Sequence, residues 1–366
     1  MIDFSSDTQT RPSPAMREFM AAAPVGDEQL REDPSVNQLQ EMAAALLGKD
    51  VALFLPSGTM CNAIAFSLNA NRGEAVILDQ ESHPNQSEAG GPAWLASVML
   101  RPVAGTRGIF SVDQILPLLS KGGTHAARTA FISIENTTNR GGGAIWPLER
   151  LAEMRALADD RGLRLHMDGA RLLNAAVGAG IPAATFTSYV DSVWLDLSKG
   201  LGAPVGAILA GSTEFIERAR LLKHMFGGAM RQAGIIAAGG IYALEHNVER
   251  LAEDHANARF LAEGLARIPG VTLVYDTIPT NILFFDVSGT GMTPQEVERG
   301  INTLGVRMGG GYDGAKVIRA VTHLDVTRDD CAVAIDAVRQ VCTGQAPEIA
   351  PSDSLRLQAT QAHGVG

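Results

Sequence analysis

The chain has 366 residues, 46% of them hydrophobic, and a formal net charge of −10. That length predicts a large domain plus a smaller one, the charge argues against nucleic acid or an anionic membrane as partner, and no apolar run is long enough for a membrane span. Three cysteines (Cys61, Cys331, Cys342) show no metal spacing and suit a reducing cytoplasm better than a disulfide framework. Asp3 and Asp7 interrupt the opening residues, where a secretory signal needs a basic then apolar pattern.

In chain order, Asp33-Pro34-Ser35 predicts a capped start to a helix over 36–47, with Leu39, Met42, Leu46 and Leu47 on one face. Short apolar runs then alternate with helical patterns. Strands are predicted at 51–55, 75–78, 98–102, 130–134, 163–167, 192–195 and 205–210, and helices at 63–68, 112–119, 148–160 and 171–177. This alternation specifies a mostly parallel sheet covered on both faces. From about 228 to 266 the helix pattern barely breaks. Beyond it come strands at 271–274, 282–287 and 317–321, with helices at 294–304 and 328–341. The expected division is a large domain over 1–245, a small C-terminal α+β domain over 246–345, and a tail over 346–366 rich in Ala, Gln, Pro, Ser and Gly.

Two residues decide the chemistry. Asp168 and Lys199 each follow a short apolar strand-like run, and each is followed at once by glycine. In an open α/β sheet, ligands bind at the carboxyl ends of strands. A carboxylate and an amine there suit pyridoxal phosphate, whose ring nitrogen needs an anion and whose aldehyde needs a lysine. Only five lysines occur (Lys49, Lys121, Lys199, Lys223, Lys316), and Lys49, Lys121 and Lys223 read as surface residues.

Ser57-Gly58-Thr59 links a strand to a helix, and backbone amides at such a start cradle a phosphate. On the tripeptide alone, a capped helix start is the simpler reading; beside Asp168 and Lys199 it becomes the phosphate candidate. Arg171 lies three residues past Asp168, within reach of the same ring. His83, in Glu81-Ser82-His83-Pro84, offers a flat ring to stack, although a lone histidine is more often structural. His125 is a similar case, and His166, alternating with Met167, is read as pointing to the face opposite the cofactor or as packing structurally. Arg319, mid-strand among apolar neighbours, needs an anion: an internal carboxylate or a substrate carboxylate held by a bidentate fork. Gly309, Gly311 and Gly314 spell G-x-G-x-x-G, but the run precedes a strand and lacks the strand-to-helix context of a dinucleotide site. No metal site is expected.

Ser6–Pro12, Glu32–Asn37, Leu55–Thr59, Glu88–Gly91, His166–Leu172, Leu197–Gly206, Gly227–Gln232 and Arg319–Val326 occur in this order along the chain. Together they resemble the threonine aldolases, members of the aspartate-aminotransferase-like, fold type I pyridoxal-phosphate enzymes, over Ile2 to about Val341. The resemblance implies an α/β large domain with a seven-stranded, mostly parallel sheet and a small α+β domain. It implies that Lys199 carries the Schiff base, Asp168 holds the ring nitrogen, His83 stacks on the ring, Gly58 and Thr59 bind phosphate, and Arg171 contacts cofactor and substrate. Ser6, Arg171 and Arg319 would grip the substrate carboxylate, His125 would lie near the substrate hydroxyl, and Arg231 would serve a neighbouring subunit. The implied reaction is retro-aldol cleavage of L-threonine, L-allo-threonine or a related L-β-hydroxy-α-amino acid to glycine and an aldehyde, in a cytoplasmic homotetramer. The chain departs from the pattern at Leu30-Arg31 (tyrosine and glycine in the family), Pro84–Ser87, Asn136–Asn139 and His224. Cofactor residues are intact and the side-chain pocket is altered. The rival readings are a β-eliminating lyase or racemase on the same cofactor, and a non-catalytic amino-acid-binding protein that kept the fold.

Overall fold

The computed structural model describes residues 1–309 and 317–344. Gly311, Gly314, Lys316 and the 346–366 tail lie outside the described residues. The chain divides into two compact units. One comprises Asp7–His255 with Pro279–Asn281; the other comprises Met1–Ser6, Ala256–Ile278 and the described residues from Ile282 on.

The larger unit is built on seven strands: β1 (Val51–Leu55), β2 (Ala75–Asp79), β3 (Met99–Val103), β4 (Thr129–Glu135), β5 (Arg164–Gly169), β6 (Ser192–Asp196) and β7 (Ala207–Gly211). Their order across the sheet is β1-β7-β6-β5-β4-β2-β3. Every pairing from β6 to β3 is parallel, and β7 runs antiparallel to both of its neighbours. Nearly every residue of these strands except β3 is buried, as expected for a sheet covered on both faces. One face carries Ile77, Ile132, Ile134, Leu165, Met167, Val193 and Leu195 into the main core. The other packs Leu53, Leu55, Trp194 and Leu209 with Cys61, Ile64 and Ala65 of the helix Gly58–Asn69.

Local chemistry sets the helix ends. Asp33 caps Val36 N at 3.0 Å with Pro34 in the first turn, and Gly48 ends that helix in the left-handed region at φ 57°. The long helical stretch after 228 is interrupted: Gly234–His246 and Leu251–Leu265 are separate helices. Asn247 makes the break by turning its side-chain amide to the Leu201 carbonyl at 2.8 Å.

Lys223, expected at the surface, is buried, where it meets the Glu28 carboxylate and, at 2.8 Å, the Phe54 carbonyl. Its partner lies 195 residues away, so nothing local announced it. Lys49 is half-buried and donates to the carbonyls of Thr187 (2.8 Å) and Val190 (2.5 Å).

In the smaller unit, Ile282–Asp286 pairs antiparallel with Val317–Val321 and Thr272–Leu273, and Ile2–Asp3 pairs parallel with Val306–Arg307. Helices Pro294–Thr303 and Arg328–Thr343 cover a core that includes Phe4, Phe285, Val297, Ile318 and Ala334.

Candidate active site

Strand β4 ends on Glu135, β5 carries Asp168 at its penultimate position, and β6 ends on Asp196. All three carboxylates line one cleft of about 290 Å³ at the carboxyl edge of the sheet, together with Gly58, Thr59, His83, Arg171, Trp194 and Lys199. Glu135, Asp168 and Trp194 are direct cross-strand neighbours, so parallel pairing alone sets them side by side.

Asp168 is buried. Its Oδ2 accepts from Asn62 Nδ2 at 3.0 Å and its Oδ1 from the Ala170 amide at 3.1 Å; among the described residues it forms no ion pair. Burial raises its pKa, and the Asn62 hydrogen bond and the His83 and Lys199 charges offset only part of that rise. Burial also acts on Glu135. Burial first, then the Asp168 charge, push its pKa up to about 7, although it accepts from the amides of His83 (2.8 Å) and Asn139 (2.6 Å).

The loop after β6 winds on Asp196, whose Oδ1 takes both the Ser198 amide (2.9 Å) and hydroxyl (2.8 Å). That turn delivers Lys199, with Nζ 2.9 Å from Asp196 Oδ2 and 5.5 Å from the Trp194 ring centre. Thr10 anchors the loop further by donating to the Lys199 carbonyl at 2.7 Å.

His83 opens the short helix His83–Gln86, and its Nδ1 lies 2.8 Å from Glu88 Oε1. Burial alone would lower its pKa; the Glu88 hydrogen bond and the Asp168 charge outweigh that and raise it. At the start of helix Gly58–Asn69, Ser57 caps Met60 N at 3.2 Å, and the first ladder bond is made by Cys61 N. The Gly58 and Thr59 amides precede that bond, as in an anion cradle. Glycine is required at 58, because a Cβ there would lie 2.4 Å from two atoms of the Trp194 ring. Arg171 is buried and gives Nε and Nη2 to the two oxygens of Asp7 at 2.7 and 2.6 Å.

The fold thus brings Gly58, Thr59, His83, Asp168, Arg171 and Lys199 into one cleft. His125 is exposed in the turn 123–126, and Arg231 is exposed and paired with Asp27 at 2.8 Å; neither lines the cleft of its own chain. Ser6 and Arg319 belong to the smaller unit, where Arg319 is buried and in register with Phe284. His166 is not on the face opposite Asp168. It is two residues away in the strand, on the same side, bonded to Ser192 Oγ at 2.8 Å, with burial lowering its pKa to about 3. Of the departing residues, Thr137 and Asn139 line the cleft, whereas Leu30 is exposed and Arg31 takes a left-handed conformation (φ 62°) while pairing with Glu217.

Sequence reasoning missed Glu135, Asp196, Asn62, Glu88 and the pairing of Asp7. Glu135 and Asp196 carried the signal that found Asp168, a carboxylate at the end of an apolar run. Asn62 and Glu88 meet Asp168 and His83 only in three dimensions.

The donor set fits pyridoxal phosphate. A buried carboxylate without an ion-pair partner suits a protonated ring nitrogen, a helix start suits a phosphate, and an amine stands in the same cleft. The Thr137 hydroxyl is also buried in the lining without a hydrogen-bond partner, as expected of a ligand-facing group. Fold and cleft define an α/β protein of the aspartate-aminotransferase-like, fold type I class.

The sequence profile of the β-eliminating lyase family matches residues 3–288. The low-specificity L-threonine aldolase of Escherichia coli (strain K12) is 44% identical over 334 residues, 91% of this chain and 96% of that protein. Low-specificity L-threonine aldolase 1 of Arabidopsis thaliana is 36% identical over 344 residues, 93% of this chain and 96% of its own. The solved structure of Leishmania major threonine aldolase superposes with a TM-score of 0.79 at 22% identity, covering 94% of this chain and all of the other. The chain belongs to the β-eliminating lyase family, among the low-specificity L-threonine aldolases.

Proposed function

We propose that the protein cleaves L-threonine, L-allo-threonine and related L-β-hydroxy-α-amino acids to glycine and an aldehyde, using pyridoxal phosphate. The observation that carries this reading is the convergence of Asp168 and Lys199 on one cleft beside the Gly58 helix start. Pyridoxal phosphate, when bound, supplies a conjugated sink for the electron pair released as the Cα–Cβ bond breaks.

The chain's own residues divide the remaining work. Lys199 holds the cofactor covalently, Asp168 holds the ring-nitrogen proton, and Gly58 and Thr59 hold the phosphate through backbone amides. Arg171, fixed by Asp7, meets the substrate carboxylate, and Ser6 and Arg319 keep the carboxylate-binding role that the resemblance implies. Gripping the carboxylate fixes rotation about Cα, which decides which bond is labilised. Glu88 faces His83 Nδ1, so that nitrogen carries the hydrogen and Nε2 takes the β-hydroxyl proton, directly or through one water. His125 and Arg231 lie outside the cleft lining of their own chain, so their roles require a neighbouring subunit; a homotetramer in the cytoplasm is part of the proposal.

The deciding experiment offers L-threonine, L-allo-threonine, phenylserine, serine and cysteine to the cofactor-loaded protein and identifies products. Glycine with acetaldehyde or benzaldehyde is expected. Pyruvate or 2-oxobutyrate with ammonia, and no glycine, would make it a β-eliminating enzyme. No turnover and no exchange of the glycine α-proton would make it a binding protein.

A further inference from the structure

Asn62 does not line the cleft, yet it ties together two of the residues that control it. The side chain sits in helix Gly58–Asn69 and is buried. Its Oδ1 accepts from Trp194 Nε1 at 2.8 Å, and its Nδ2 donates to Glu88 Oε1 at 2.7 Å and Asp168 Oδ2 at 3.0 Å. An indole N–H is only a donor, so the amide has one allowed orientation: oxygen to Trp194, both nitrogen hydrogens to the carboxylates. All its hydrogens are used. Glu88 Oε1 in turn meets His83 Nδ1, so one amide links Asp168 to the carboxylate that orients the histidine.

The neutrality of that amide matters. Two buried carboxylates lie on either side of one side chain, and each needs hydrogen bonds to replace lost water. A lysine or arginine at position 62 would supply hydrogen bonds but would also cancel the negative field of Asp168. An apolar residue would leave both carboxylates under-satisfied and remove the hydrogen bond that holds the Asp168 pKa down against burial. An amide supports the anion and leaves its charge available to a cationic partner.

On the reading of the cleft given under Proposed function, we propose that Asn62 is the positioning residue that keeps Asp168 ionised towards a bound pyridine nitrogen and fixes Glu88 against His83 Nδ1. Trp194 belongs to the same device, because its N–H sets the direction in which the amide points.

The test separates this role from simple structural support. Apoprotein of wild type and Asn62→Ala is titrated with pyridoxal phosphate and with its 1-deaza analogue, in which a CH replaces the ring nitrogen, and dissociation constants are read from absorbance. Asn62→Ala should weaken pyridoxal phosphate by about tenfold more than the deaza analogue, as for loss of a hydrogen bond to a charged group. Equal losses for both compounds would overturn the assignment, because a merely distorted cleft does not distinguish nitrogen from CH. Where Asn62→Ala does not fold, Trp194→Phe carries the same comparison: a greater loss for pyridoxal phosphate supports the assignment and equal losses overturn it. A wild-type protein that takes up neither compound overturns the functional reading, and the role of Asn62 with it.

Discussion

Arg171 and Asp7, 164 residues apart in sequence, form a two-pronged ion pair inside the larger unit, with side-chain exposures of 7% and 0%. The fork fixes the guanidinium plane, and a fixed plane is what bidentate recognition of a second carboxylate requires. Asp7→Ala strands a buried guanidinium and should destabilise the protein by about 3–5 kcal/mol in urea unfolding. Asp7→Asn, which keeps the shape, should fold better and still bind glycine more weakly than wild type, measured by absorbance titration of the loaded enzyme.

Lys199→Ala should remove the visible absorbance of bound cofactor together with turnover. Borohydride reduction of the loaded wild type, followed by peptide mass spectrometry, should place the label on Lys199. A variant that keeps full activity would move the covalent role elsewhere.

Glu135 should make the stability of the apoprotein depend on pH. Its pKa is about 7 in the fold against an ordinary 4.5. A carboxyl that titrates higher when folded contributes stability that is fully present below 4.5 and is lost as pH rises through about 7. Urea unfolding at about pH 5 and about pH 8 should show wild type losing more stability across the interval than Glu135→Gln. The same slope in both proteins would remove Glu135 from the account.

Gly58→Ala pushes a methyl into the Trp194 ring. Overpacking of this kind costs about 1–3 kcal/mol, and here the displaced ring also orients Asn62 and lies beside Lys199. The variant should therefore lose cofactor affinity as well as thermal stability. Unchanged affinity would show that the helix start tolerates a side chain and that the phosphate cradle lies elsewhere.

The sheet was legible because its signal is short-range. Seven apolar runs, each bounded by a turn, correspond to the seven strands; Asp168 stood out as a charge directly after one of them, and Lys199 as an amine a few residues past another. The family resemblance rested on motifs that keep their order along the chain. What stayed hidden was pairing between distant segments: Glu28 with Lys223, Asp7 with Arg171, Asn62 with Glu88 and Trp194. No local pattern reveals that a helix lysine will be buried when its carboxylate lies 195 residues earlier. The face of His166 was a different matter. A two-residue period already puts it on the side of Asp168, and the structure restores what that period dictates.

Three carboxylates share the cleft with one lysine amine and an arginine already committed to Asp7. Lys199 pairs with Asp196, which leaves Glu135 and Asp168 side by side without an ion pair among the described residues. On the proposed function, a bound pyridinium would take up that charge, and loading would act as a clamp on the native state, worth about 2.7 kcal/mol at a hundredfold excess over the dissociation constant.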